Sequence, residues 1–167
     1  MHPLRLVALG AVSGAIATAV MSVVMLGARR VGLMSELPPH EIASRAVDRT
    51  PARDDAGPTE RRGLGWITHF GFGTGAGALY ALLRNVVRTP GPAWFHGAGY
   101  ALGVWFVSYM GWAPAFGLMP RADRDEPGRQ PAMVVAHLVF GAVLGMLVQP
   151  RLPWRRRAAG VEVEAAV

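Results

Sequence analysis

The sequence predicts an all-α membrane protein that folds as a bundle of four transmembrane helices. The first observation is the composition: 51% of the 167 residues are hydrophobic and only 17% are charged. The second is that the apolar residues fall into four long runs, each close to the ~20 residues with which a helix crosses a hydrocarbon core. The third is that small residues recur at every fourth position within these runs, which is typical of helices that approach closely in a membrane.

The charged residues are distributed as in a membrane protein rather than a nucleic-acid-binding protein. All 17 basic residues are arginines, and the formal net charge is +6. They cluster at the ends of the apolar runs, where basic residues flank membrane spans, so no nucleic-acid partner is expected. The absence of cysteine excludes disulfides, thiolate metal ligands and cysteine nucleophiles. A composition rich in Arg, Ala, Gly and Pro favours a bacterial source, and the predicted location is the bacterial inner (plasma) membrane, with several passes.

The four spans are predicted to form one membrane domain over residues 1–150, followed by a basic and then disordered tail over residues 151–167. A signal peptide is an alternative for the first run, but the run continues past its Ala-rich centre, which favours a retained helix. Pro114 is expected to kink or end the third span, because proline has no N–H for the preceding turn. The predicted spans are residues 6–27, 64–83, 93–112 and 131–148.

The loop between the first two spans is predicted to contain a short helix that lies at the membrane interface. After Pro38-Pro39, apolar residues follow at amphipathic helical spacing. The segment from Asp54 to Pro58 is rich in helix breakers and should end this helix. The acidic residues of the loop are expected to form a solvated face, not a catalytic pair. The apolar residues of the helix are Ile42, Ala43, Ala46 and Val47.

Glycines recur every fourth position in the predicted spans. Four residues turn a helix by about 400°, so these glycines form narrow stripes along which another helix can approach. Spans two and four each carry a histidine followed by two such glycines, and spans one and three each carry a glycine pair. This indicates either a tandem duplication of two helical hairpins or chance similarity between glycine-rich helices. The predicted packing residues are Gly10, Gly14, Gly73, Gly77, Gly99, Gly103, Gly141 and Gly145.

His69 and His137 begin two of these stripes and are the main candidate functional residues. Each lies about six residues into its predicted span, so both are expected at the same depth. A polar cluster of His69, His137, Ser22, Ser108 and Tyr109 is therefore predicted. It is open to interpretation as helix–helix hydrogen bonding, as a proton or solute site, or as haem or metal ligation. No cofactor is expected, with haem as the alternative, since no carboxylate lies within a predicted span to assist a metal.

Several short motifs resemble the YagU-like family of small bacterial inner-membrane proteins. Pro38-Pro39 follow the first span, His69 opens the second, and His137-Leu138-Val139 lies in the fourth. The resemblance covers most of residues 33–148, although the first loop lacks much of the sequence typical of that family. It implies a multi-pass membrane protein and no catalytic residues. The motif after the third span is Pro114, Gly117, Leu118 and Pro120.

The sequence predicts a protein that is not an enzyme. It contains no glycine-rich phosphate loop after a strand and no visible nucleophile–base pair. The favoured interpretation is a small structural or accessory helical bundle of unknown biochemical activity. The alternatives are a transporter-like or proton-responsive protein that uses the intramembrane histidines, and a haem-binding electron carrier. The expected partners are the lipid bilayer and a second copy of the chain or another membrane protein.

Overall fold

The computed structural model describes residues 2–49 and 57–152, and within these ranges the chain is helical with no strand. Residues 54–56 of the predicted breaker and the predicted tail beyond residue 152 lie outside the described residues. A π-helical turn (Val107–Trp112) joins the fourth and fifth α-helices. The α-helices are α1 (Pro3–Arg30), α2 (Pro38–Asp48), α3 (Pro58–Val86), α4 (Ala93–Phe106), α5 (Ala113–Ala115) and α6 (Arg129–Val148).

The all-α prediction is confirmed for the described residues, and two helices are long and apolar enough to cross a membrane. These are Pro3–Arg30 and Arg129–Arg151, in which an 18-residue stretch has a mean hydropathy of 2.1 and 2.2, respectively. α3 begins at Pro58 rather than near Leu64, because proline is well suited to the first turn of a helix. Its early turns are therefore polar, in contrast to the apolar stretch that follows.

α4 continues through the π turn into α5, so its hydrogen-bonding pattern changes before the helical path ends. In the π turn, the N–H of Ala113 donates to the carbonyl of Ser108. The helical path then ends at Ala115, with Pro114 in its last turn, and Gly117 reverses the chain with a φ of +62°. The prediction that Pro114 kinks or ends this helix is confirmed. Such π turns are frequent at functional sites, because they redirect side chains within an otherwise regular helix.

The long helices are not all packed against one another. α1 contacts both α3 and α6, and α4 contacts α6 along its length, but α3 and α4 are not among the closely packed pairs of the described chain. α3 and α4 meet where the Tyr100 hydroxyl donates to the Ala76 carbonyl at 2.8 Å, beside the ring of Tyr80 at 5.1 Å. Further along, towards the π turn, a cleft separates the two helices.

Glycines allow the close approach of α1 to α3. A Cβ added at Gly77 would lie 2.6 Å from the Cα of Gly14, and one at Gly10 would lie 2.7 Å from the Cα of Ala78. Gly73 faces Thr18 of α1, whose side chain occupies the space that a Cβ would need. At Gly10 and Gly77, the backbones of α1 and α3 are therefore in direct contact.

A second glycine contact joins α4 to α6. A Cβ at Gly141 would lie 2.7 Å from the Cβ of Ala101, and one at Gly145 would lie 2.9 Å from the carbonyl carbon of Ala93. The prediction for α4 itself was wrong: Gly99 and Gly103 are exposed, with no atom of the described residues within 4 Å of an added Cβ. Gly97 and Ala101 face α6 instead. They lie two residues away from the predicted pair, which is about 200° around the helix and hence the opposite face.

α2 confirms the short helix predicted for the first loop. It packs on α3 and buries Pro39, His40, Ala43 and Val47. The contact is close, since a Cβ at Gly65 of α3 would lie 2.7 Å from the His40 ring. α2 therefore covers the end of the cleft between α3 and α4.

Candidate ligand-binding site

A cavity of about 300 Å³ occupies the cleft between α3 and the π turn. Met25 of α1 and Met133 of α6 form its inner wall, and Pro38, Pro39 and Ile42 of α2 cover it. Because the bordering side chains are mostly apolar, the cavity favours apolar atoms over water. Its volume is at the lower end of the range of small-molecule sites.

Four of the five residues of the predicted polar cluster line this cavity: His69, Ser108, Tyr109 and His137. Ser22 contacts His69 from α1. The other two hydroxyl groups have partners other than the histidines. Tyr109 donates to Asp125, and Ser108 accepts from the Trp112 indole at 3.3 Å. The predicted cluster is therefore divided between two sets of hydrogen bonds, and both histidines lie at the cavity.

The hydrogen bond of His137 determines which of its ring nitrogens accepts. Nδ1 lies 2.8 Å from the carbonyl oxygen of Met133, one turn earlier on α6. A carbonyl only accepts, so Nδ1 carries the hydrogen and donates it. In the neutral ring, Nε2 is then an acceptor.

A hydrogen bond to Ser22 likewise determines which ring nitrogen of His69 accepts, but here the other nitrogen donates. The Ser22 hydroxyl oxygen lies 2.8 Å from the Thr18 carbonyl oxygen and 3.2 Å from His69 Nε2. Because the hydroxyl has one hydrogen and gives it to the carbonyl, His69 Nε2–H donates to the hydroxyl oxygen. Nδ1 of the neutral His69 ring is then an acceptor.

A second, smaller cavity of about 40 Å³ lies beyond the histidines, next to Thr18 and Gly73. His69 and His137 line both cavities, so they lie at the junction between them. Their imidazole rings therefore lie on the floor of the larger cavity, whose lining is mostly apolar.

Aromatic rings form the walls of the larger cavity. Trp105 and Tyr109 are stacked, with ring centroids 5.5 Å apart and planes at 17°. Across the cleft, Phe72 of α3 lies 6.2 Å from Trp112 of the π turn, and Phe72 is 50% exposed. These two rings mark the outer side of the cavity, where it opens away from α1 and α6.

An ionic cluster next to the cavity was not predicted from the sequence. Arg129, at the start of α6, has a side chain only 3% exposed, and it contacts Glu41 at 2.6 Å, Asp125 at 3.0 Å and Glu126 at 2.9 Å. The expectation of a solvated acidic face is wrong for Glu41, whose side chain is 13% exposed. Tyr109 of the cavity wall donates to Asp125, which joins the cluster to the π turn.

The loop before α2 is held to the same cluster through Glu126. The backbone N–H of Ser35 donates to Glu126 at 2.7 Å, and the Ser35 hydroxyl donates to its other carboxylate oxygen. These hydrogen bonds, the hydroxyl first, lower the pKa of Glu126 below its ordinary value. The lowered pKa means that the folded state stabilises the ionised carboxylate. Its contribution to folding stability is fully present above the ordinary pKa and is lost as the pH falls through the pKa of the folded state.

Replacing Ser35 with alanine is expected to raise the pKa of Glu126 towards its ordinary value, since the hydroxyl donor is the largest cause of the shift. Carboxyl-detected NMR titration measures this directly. Ser35→Thr keeps the hydroxyl and serves as the control. An unchanged pKa of Glu126 in Ser35→Ala would contradict the assignment.

The chain belongs to the family of unknown function DUF6789, whose model matches residues 4–156. No curated protein and no solved structure matches the chain. The description of the family names no activity and no ligand. The resemblance to the YagU-like family remains a prediction.

Proposed function

We propose that this member of the DUF6789 family is an integral membrane protein, with four membrane-spanning segments, that binds a small apolar molecule in the cleft between α3 and the π turn. The observation that carries the proposal is the cavity of about 300 Å³, lined by residues of α1, α3, α4 and α6 and covered by α2. A bundle with only a structural role would be expected to fill such a space with side chains.

Large apolar side chains on the outside of all four long helices support the membrane part of the proposal. Exposure reaches 69% for Val23 on α1, 70% for Ile67 on α3, 61% for Phe95 on α4 and 50% for Val135 on α6. In water, surfaces of this kind associate with one another, whereas in a bilayer they contact lipid. The proposal therefore adds α3 and α4 to the two candidate membrane spans, α1 and α6, to give four.

Methionines provide the test of binding. Met25, Met119 and Met133 line the cavity, whereas Met146 is 51% exposed on the outside of α6. In protein labelled at the methionine methyl groups and reconstituted in nanodiscs, naphthalene is expected to shift the three cavity signals saturably. Naphthalene has no hydrogen-bonding group, so this experiment reports only on the apolar space. Equal shifts at Met146 would show partition into lipid and would overturn the binding proposal in favour of an accessory structural role.

A pair of neighbouring substitutions on α3 locates the site. Thr68 lines the cavity, whereas Ile67 is 70% exposed on the outer face. Thr68→Phe is expected to weaken naphthalene binding about tenfold or more, because the ring takes up the space that the ligand needs. Ile67→Phe, with a ring on the lipid side, should leave the affinity unchanged. Equal effects of the two substitutions would exclude the cavity as the site.

A further inference from the structure

We infer that the cavity is a site for a hydroquinone, a planar ring that donates hydrogen bonds from two hydroxyl groups. This inference rests on the proposed function and specifies its ligand. It follows from the hydrogen-bonding state of the two histidines, the shape of the cavity wall and the position of the cavity's outer side.

Both histidines line the cavity, and each neutral ring keeps one nitrogen as an acceptor. With Nδ1 of His137 donating to Met133, and Nε2 of His69 donating to Ser22, the neutral rings retain acceptors at His137 Nε2 and His69 Nδ1. No residue of the described chain donates to either atom. An imidazole surrounded by apolar side chains is held in its neutral form, because a charge there would lose its hydration. A ligand that satisfies both acceptors must therefore supply two donors.

This requirement separates a hydroquinone from other apolar molecules. A quinone or an ester has acceptors only, and it would leave both imidazoles unpaired in a space with little water. A fatty acid or a phosphate would bring a negative charge, and none of the described residues that line the cavity is an arginine. Hydroxyl groups on opposite sides of a ring supply the donors without a charge.

The wall of the cavity fits a flat ring. Trp105 and Tyr109, a stacked pair with planes at 17°, give the cavity an aromatic wall. Aromatic rings pack on such surfaces in offset-stacked or edge-on arrangements, with a gain beyond that of the buried area alone. A saturated alcohol would supply a donor but would not make this contact.

The outer side of the cavity provides access from the membrane. Phe72 and Trp112 lie there, and Phe72 is half exposed. A lipid-soluble ring reaches the histidines by passing between α3 and the π turn, with no need to cross the charged cluster around Arg129. The volume of about 300 Å³ accommodates a substituted ring, and a tail attached to it would extend outwards through the same gap.

The test compares three rings of nearly the same shape in the methionine-methyl experiment: trimethylhydroquinone, its dimethyl ether and trimethylbenzoquinone, under anaerobic conditions. Trimethylhydroquinone is expected to bind about tenfold or more tightly than either of the others, which is the effect of about one retained hydrogen bond. In His137→Leu, the affinity for trimethylhydroquinone should fall towards that of the ether, whereas the affinity for the ether should not fall. His69→Leu should behave in the same way.

The outcomes separate this inference from the proposal on which it rests. Equal affinities for the hydroquinone and its ether, with saturable binding of both, would overturn the hydroquinone assignment and leave the apolar site intact. Tight binding of the quinone would also overturn it, because a quinone has no donor. Failure of naphthalene and all three rings to shift the cavity methionines would overturn the binding site itself. The comparison of ligands on the unaltered protein decides the question even if a histidine variant does not fold.

Discussion

Replacing Arg129 with methionine is expected to destabilise the protein by about 3–5 kcal/mol, since one partner of a buried ionic cluster is removed. The guanidinium is 3% exposed and contacts Glu41, Asp125 and Glu126. Asp125 is itself only 1% exposed, so without Arg129 its carboxylate stays buried and loses its cation. Methionine is similar in length and apolar, which limits the loss of packing and isolates the effect of charge.

Arg121 provides the matched control. It forms an ion pair with Asp123 at 3.4 Å, but the two side chains are 76% and 65% exposed. Arg121→Met should therefore cost about 0–1 kcal/mol, as is usual for pairs in water. Denaturant unfolding in detergent, followed by circular dichroism, measures both variants. A similar small loss for Arg129→Met would show that the carboxylates around it are not held by the arginine.

A second substitution tests the cause. Adding Asp125→Asn to Arg129→Met removes the carboxylate that the first change leaves uncompensated, and it should recover part of the lost stability. Recovery is expected to be partial, because Glu41 and Glu126 also lose their contacts with Arg129. A double variant that is less stable by the sum of the two single effects would instead indicate independent roles.

The arginine cluster also shows why the sequence predicts some elements and not others. α2 follows from a local signal: two prolines, then apolar residues at helical spacing. The end of the third helix likewise follows from Pro114. Glu41 in α2 and Arg129 at the start of α6 are 88 positions apart, and nothing in the sequence around either residue indicates that they meet. Their contact depends on how the long helices place the two segments.

The same distinction applies to the candidate site. The sequence predicts an equal depth for His69 and His137 from their similar distance from the start of each predicted span, and the structure places both at one cavity. The cavity itself requires α3 and α4 to separate beyond Tyr100, and it requires a π turn that no sequence pattern indicated. On α4, small residues are spaced four apart on both faces of the helix, as Gly97 and Ala101 and as Gly99 and Gly103. Only the position of α6 selects Gly97 over Gly99.

Gly77→Leu is expected to destabilise the protein by about 3 kcal/mol or more, at the upper end of the usual effect of overpacking. An added Cβ at this position would lie 2.6 Å from Gly14 Cα and 2.9 Å from Gly14 N, before the rest of the leucine side chain is placed. The atoms in the way are backbone atoms in the middle of α1. They cannot rotate aside as a flexible side chain does, so α1 and α3 must separate.

Gly99→Leu is the matched control, since it introduces the same side chain into the middle of a helix. In the part of the chain that the structure describes, no atom lies within 4 Å of a Cβ at Gly99. Leucine is also a better helix former than glycine by roughly 0.8 kcal/mol, so this variant should be as stable as the original protein or slightly more stable. The same denaturant unfolding in detergent measures both. Equal stabilities of Gly77→Leu and Gly99→Leu would contradict the close backbone contact between α1 and α3, and with it the arrangement of helices that leaves the cleft open on the other side of α3.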